Sequence, residues 1–103
     1  MTSQNRVILT GRVAASPRCH YRPDGSAVVE FSLEINCEAG PALINIVAIG
    51  RLAELKGRQL EAGQYLLVEG RLNQRCWQTP EGRHRTRMEV IAADLRGVGK
   101  AQI

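Results

Sequence analysis

Residues 27 to 35 read Ala-Val-Val-Glu-Phe-Ser-Leu-Glu-Ile, so that Val29, Phe31, Leu33 and Ile35 alternate with Glu30, Ser32 and Glu34. A period of two sends the first set to one side of a strand and the second to the other. The apolar side, Phe31 included, faces a core. Downstream, Asn36 to Pro41 is polar and reads as a loop. Leu43 to Ile49 (LINIVAI) follows, evenly apolar and therefore expected to be buried on both faces. Upstream, Pro23-Asp-Gly25 has the composition of a turn, and Arg18 to Arg22 is a short extended piece opened by Ser16-Pro17. Before it, Arg6 to Val13 (RVILTGRV) is a strand with Val7, Leu9 and Val13 opposed to Ile8, Thr10 and Arg12. Gly11 within it predicts a bend or bulge.

Beyond the third strand the period changes. Leu52, Leu55 and Leu60 give Arg51 to Glu61 a sparse helical side, weakened by Gly57 and stopped by Ala62-Gly63. Tyr65 to Arg71 is a fourth strand that runs on through Trp77. A turn at Gln78-Thr-Pro-Glu-Gly82 returns the chain into a fifth, Arg83 to Ile91. Three strands, a helix and a two-stranded hairpin make an all-β chain. The order fits a five-stranded Greek-key barrel of the OB type, with one short helix between strands 3 and 4. A β-sandwich would want about seven strands.

With 103 residues the chain is one domain, 1–103, with its core over 6–96 and a short extension at 97–103. No apolar run approaches the ~20 residues of a membrane span, and the N-terminus lacks a signal peptide's apolar stretch. A cytoplasmic location follows as the expectation. Cys19, Cys37 and Cys76 are odd in number and form no CxxC, so they read as reduced thiols. His20 and His84 stand apart from any cysteine pair. Neither a metal site, a cofactor nor a catalytic constellation is expected.

The charge is unevenly placed. The net charge is +4, from 14 Lys+Arg and 10 Asp+Glu. Arg71, Arg75, Arg83, Arg85 and Arg87 lie in one segment with a single acid, Glu81, while the rest of the chain holds as many acids as bases. Such a segment is either an anion-binding surface or a hairpin kept soluble by its charge. Arg71, Asn73, Arg75 and Trp77 share one face of the outgoing arm, and Arg83, Arg85 and Arg87 share one face of the returning arm. If the two faces coincide, guanidinium groups to neutralise phosphates flank an indole on which a base can stack. Trp77 either serves that role or packs in the core. Tyr21 is either a second stacking platform or a strand packer, and Tyr65 belongs to the core or to a subunit interface.

Several segments together resemble the bacterial single-stranded DNA-binding protein family, including its primosomal replication protein N branch. They are Val7-Ile-Leu-Thr-Gly-Arg12, Ser16-Pro17, Tyr21-Arg-Pro-Asp-Gly25, Val28-Val-Glu-Phe-Ser-Leu33, Ile46-Val-Ala-Ile-Gly50 with Leu52-Ala-Glu54, Gly63, Val68-Glu-Gly70, Arg75-Cys-Trp77, Gly82 and Met88-Glu-Val90. The resemblance implies an OB-fold and non-catalytic binding of single-stranded DNA in replication, recombination and repair. It implies a homo-oligomer, dimer or tetramer, associated with the nucleoid. Alternatively it implies a primosomal replication-restart accessory protein that also binds partner replication proteins. It puts Trp77 at the family's stacking tryptophan, and Arg71 and Arg75 where backbone-contacting bases fall. Arg12, Tyr21, Arg83, Arg85 and Arg87 complete the expected nucleic-acid-binding set. Leu43 and Ile49 stand where family members carry aromatic residues, and the loop from Asn36 is shorter than the family's. Stacking is therefore depleted, and electrostatics is expected to carry more of the binding. Residues 97–103, Gly-Val-Gly-Lys-Ala-Gln-Ile, do not resemble the flexible linker and acidic tip of many members, so recruitment of partners through such a tip is not expected.

Overall fold

A computed structural model describes residues 3–99, so the expected extension at 97–103 lies outside the described residues beyond Gly99. The elements are β1 (Val7–Val13), β2 (Arg18–Tyr21), β3 (Ala27–Cys37), β4 (Gly40–Ile49), α1 (Arg51–Leu55), a single 3-10 turn (Gly57–Gln59), β5 (Tyr65–Gln78) and β6 (His84–Gly97). Strands β1, β5, β6, β4 and β3 pair in that order. Val13 opposite Leu33 and Arg12 opposite Glu34 join β1 back to β3, which closes a five-stranded barrel. The β4–β6 pair is parallel and the other pairings are antiparallel. The short piece at Arg18 becomes an edge strand, β2, on the remaining length of β3.

The period-two reading survives in three dimensions. Val29, Phe31 and Leu33 of β3, Ile46 and Ala48 of β4, Leu66 and Val68 of β5, and Val90 and Leu95 of β6 all point inward and are buried. Each large aliphatic side chain sealed there stabilises the fold by roughly 1.5–3 kcal/mol. Val13 ends the inward row of β1, while Ile8 points out and is 55% exposed. Gly11 sits where β1 leaves β5 for β3, and a Cβ at that position would meet the carbonyl oxygen of Glu34. The glycine is thus required by a close backbone approach, and the β1–β5 register runs through it without a shift.

Four differences from the sequence reading have local causes. Asn36 and Cys37 pair with Pro41 and Gly40, so the expected loop shrinks to a tight turn at Glu38-Ala39, with Gly40 at φ 127°. The helix stops at Leu55. Gly57 is buried against Val29, where a Cβ would lie 3.0 Å from the valine's own, and glycine costs a helix about 1 kcal/mol. Strand β4 is buried on both faces only in its centre, since Leu43 at its start is 64% exposed. Strand β6 continues to Gly97, past a register shift opposite Glu69 and Gly70, because its last residues pair with β5 on the barrel wall.

From Arg71 to Gln78, and from His84 to Met88, every residue is exposed. The β5–β6 hairpin thus extends beyond the barrel wall. Among the described residues, Cys19, Cys37 and Cys76 are free and exposed, and no helix is long and apolar enough to cross a membrane.

Candidate nucleic-acid interface

The register of the hairpin settles whether its two basic faces coincide. Trp77 lies opposite Arg85, Arg75 opposite Arg87, and Asn73 opposite Glu89. Directly opposed residues of an antiparallel pair project to the same side. Arg71, Arg75, Trp77, Arg85 and Arg87 therefore stand on one outward face, with Arg83 just beyond the paired length. Trp77 is 44% exposed and is not part of the core cluster.

The arginines divide into committed and uncommitted. Among the described residues, Arg71, Arg83, Arg85 and Arg87 enter no ion pair. Arg75 behaves differently. Its Nη2 lies 2.9 Å from Oε1 of Glu89 and 3.3 Å from Oε1 of Glu30. Glu89 is 3% exposed; its Oε2 accepts a hydrogen bond from Asn73 Nδ2 at 3.1 Å. The Arg75–Glu89 contact is an ion pair by distance but not a directed hydrogen bond, so Oε1 has no hydrogen-bond donor. Like charges directly opposed repel. The two carboxylates draw Arg75 towards the barrel and leave Arg87 free.

The outward face continues from the hairpin across β6, β4 and β3 to β2. It contains a groove of about 420 Å³ floored by Val28, Val47, Ile49 and Ile91. His20, Arg22, Glu30 and Arg75 stand around it, and His20 Nε2 is 3.8 Å from Glu30 Oε2. Leu43 and Ile49 belong to the same outward row of β4, as their even spacing requires. The groove holds Glu30 and Glu89 beside its guanidiniums, whereas the hairpin beyond them carries a single acid, Glu81, in its turn. Such a surface can attract a polyanion along the hairpin, and Trp77 and the floor of the groove can cover flat apolar groups.

Two expected residues are not brought to this face. Tyr21 is 57% exposed, but it lies opposite Ala27 and shares the side of β2 taken by Cys19, away from Arg18 and His20. Arg12 donates to Glu34 Oε1 from Nη2 at 2.7 Å, in a separate recess with Thr10 and Tyr65. That hydrogen bond, and the charge behind it, raise the guanidinium's pKa above its ordinary value. Sequence reasoning missed Glu30, Glu89, Asn45 and Arg18. Only Asn45 gave a local signal, as the one polar residue inside LINIVAI.

The comparisons with known proteins bear on the family and the fold. The single-strand binding protein family matches residues 4–98. The single-stranded DNA-binding protein of Neisseria meningitidis serogroup B is 33% identical over 106 residues, covering 94% of this chain but 61% of that protein. The chain therefore spans less than two thirds of that relative. Single-stranded DNA-binding protein 1 of Xylella fastidiosa is 32% identical over 99% of this chain and 82% of its own length. Among solved structures, a deletion mutant of the single-stranded DNA binding protein from Thermus aquaticus superposes with a TM-score of 0.78 at 30% identity, over 94% of this chain and 51% of that one. A Plasmodium falciparum SSB in complex with ssDNA gives 0.83 at 24% identity, over 96% and 98% of the two chains, and speaks for the fold.

Proposed function

The chain belongs to the single-strand binding protein family, and from that premise we propose that it binds single-stranded DNA on the outward face of the hairpin and the adjoining sheet. One observation carries the reading. Three guanidiniums free of ion pairs among the described residues, those of Arg71, Arg85 and Arg87, share a face with the exposed indole of Trp77, and the equally unpaired Arg83 follows just beyond the paired length. Each phosphate that such a group neutralises releases counterions, and each base that reaches the indole gains stacking energy. Bases are available for stacking only when they are unpaired. A duplex keeps its bases stacked on one another and offers the indole no free face.

Arg75 contributes in a different way. In this reading it holds the root of the hairpin against Glu89 and Glu30, and it adds less to phosphate neutralisation than its neighbours do. Tyr21, on the other side of β2, and Arg12, paired with Glu34 in its own recess, lie apart from each other and contribute from outside the hairpin face. No reaction is involved: the interface holds and releases. The cellular setting is replication, recombination and repair of DNA, performed by a homo-oligomer in the cytoplasm.

The test is competition. Retention of a labelled oligothymidylate is measured against unlabelled single-stranded DNA, duplex DNA and RNA of the same length. The reading expects single-stranded DNA to displace the label best and duplex worst. Equal displacement by duplex would overturn it.

A further inference from the structure

Beside the groove, across β6, β4, β3 and the start of β2, lies a second recess of about 220 Å³ on the same outward face. Ser16, Arg18, Ser32, Asn45 and Arg87 line it, and Glu30 forms the wall it shares with the groove. Three observations make it unlike an ordinary surface dimple. Asn45 is 7% exposed, and its amide Nδ2 is buried without any hydrogen-bond acceptor. Arg18 and Arg87 are exposed and enter no ion pair among the described residues. Glu30, the acid of the recess, is engaged from the groove side by Arg75. The recess is thus rich in donors, and its one acid faces Arg75 and His20 on the groove side, which is chemistry that suits an oxyanion.

We propose that this recess seats one phosphate of the bound strand, with Asn45 donating from Nδ2 and with Arg18 and Arg87 pairing with the phosphate oxygens. The assignment rests on the single-stranded DNA reading and deepens it. It adds Arg18 and Asn45, which lie outside the basic hairpin, and it routes the strand from Trp77 past Arg87 to the edge strand β2. Asn45 Nδ2 is reached only when a lining side chain shifts, and Arg18 and Arg87 are long, exposed side chains able to swing. The competing partner is Glu89. Ile46 lies opposite Val90, so Asn45 stands next to Glu89 across the parallel pair, and Glu89 Oε1 also has no hydrogen-bond donor.

The experiment compares wild type, Asn45→Leu and Arg18→Gln, each in the full chain, for binding to oligothymidylate and to oligodeoxyadenylate over a series of salt concentrations. A phosphate seat predicts that Asn45→Leu weakens both oligomers about tenfold with the salt slope unchanged, since a donor to a charged acceptor is lost but no charge. Arg18→Gln lowers the slope by about 1 for both. The free Asn45→Leu protein melts no lower than wild type, because a buried donor without an acceptor has been removed. If leucine is not accommodated, Arg18→Gln on the exposed edge strand still decides the matter. A penalty confined to one oligomer would mean that a base is being read and would overturn the phosphate seat. Unchanged affinity with a lowered melting point in Asn45→Leu would give the amide to Glu89 and would also overturn it. An unchanged slope in Arg18→Gln counts equally against the seat. Wild type binding neither oligomer would remove the single-stranded DNA reading itself, and the seat with it.

Discussion

Arg75→Ala distinguishes a strut from a contact. In the free protein this guanidinium lies 2.9 Å from the carboxylate of Glu89, which is 3% exposed, and 3.3 Å from that of Glu30. Its removal leaves Glu89 with the single hydrogen bond from Asn73. Breaking a dry buried pair by deleting one partner costs roughly 3–5 kcal/mol. The Arg75 side chain is itself 42% exposed, so water enters where it stood. That screening brings the expected loss down to about 1–3 kcal/mol, the cost of an unsatisfied buried polar group. In a domain of this size the melting temperature falls on the order of 10 °C. Adding Glu89→Leu to Arg75→Ala removes the stranded charge and restores most of the loss. Thermal unfolding of the two variants, paired with oligothymidylate titrations over salt, reads both quantities. The expected pattern is a lowered melting temperature in Arg75→Ala, recovery in the double variant, and a salt slope changed by well under 1. An unchanged melting temperature together with a slope lowered by a full unit would refute the argument and make Arg75 a free phosphate contact.

Arg85, opposite Trp77 and without an ion pair among the described residues, gives the complementary result: Arg85→Ala leaves thermal stability near wild type and lowers the salt slope by about 1 for every sequence tested. Gly70→Ala drives a Cβ into the Ile91 carbonyl at the root of the hairpin, and urea unfolding should show a loss of about 1–3 kcal/mol, as for other overpacked positions. Asp94 is held at a pKa of about 2, against an ordinary 3.8, by a hydrogen bond from Lys56 and then by one from Arg96. Its folded-state pKa is depressed, so its contribution is present above pH about 4 and is lost as pH falls towards 2. Asp94→Asn should flatten the acid limb of a stability-against-pH curve in that window.

The barrel was legible because its signals are local. The alternation around Phe31, the glycine that lets β1 change partners and the hairpin between Tyr65 and Ile91 are each written in neighbouring residues. Trp77 was open to two readings from the sequence, and its exposure in the hairpin decides for the surface. What sequence reading missed is set by contacts across the chain. Nothing near Arg75 in sequence announces Glu30, 45 residues away, and the parallel pairing that brings β6 beside β4 is invisible to any period. Glu89 lies two residues beyond Arg87 on the same face, yet it is buried, paired with Arg75 and hydrogen-bonded by Asn73. Likewise Gly57 read only as a weak point in a helix. Its packing against Val29 is what ends the helix early. The binding set inferred from composition was thus partly a list of arginines of equal rank. The fold ranks them, with four uncommitted on the hairpin and Arg75 and Arg12 tied to carboxylates.

Trp77 is the chain's single tryptophan, so its emission reports directly on the face where binding is assigned. Oligothymidylate is titrated into the protein at rising salt while that emission is followed. The account predicts quenching on binding and an affinity that falls linearly on a log–log plot against salt. It also predicts that Trp77→Ala weakens binding by the value of one stacked base, roughly 1–3 kcal/mol. Emission that stays unchanged at saturation, with an affinity indifferent to salt, would contradict it.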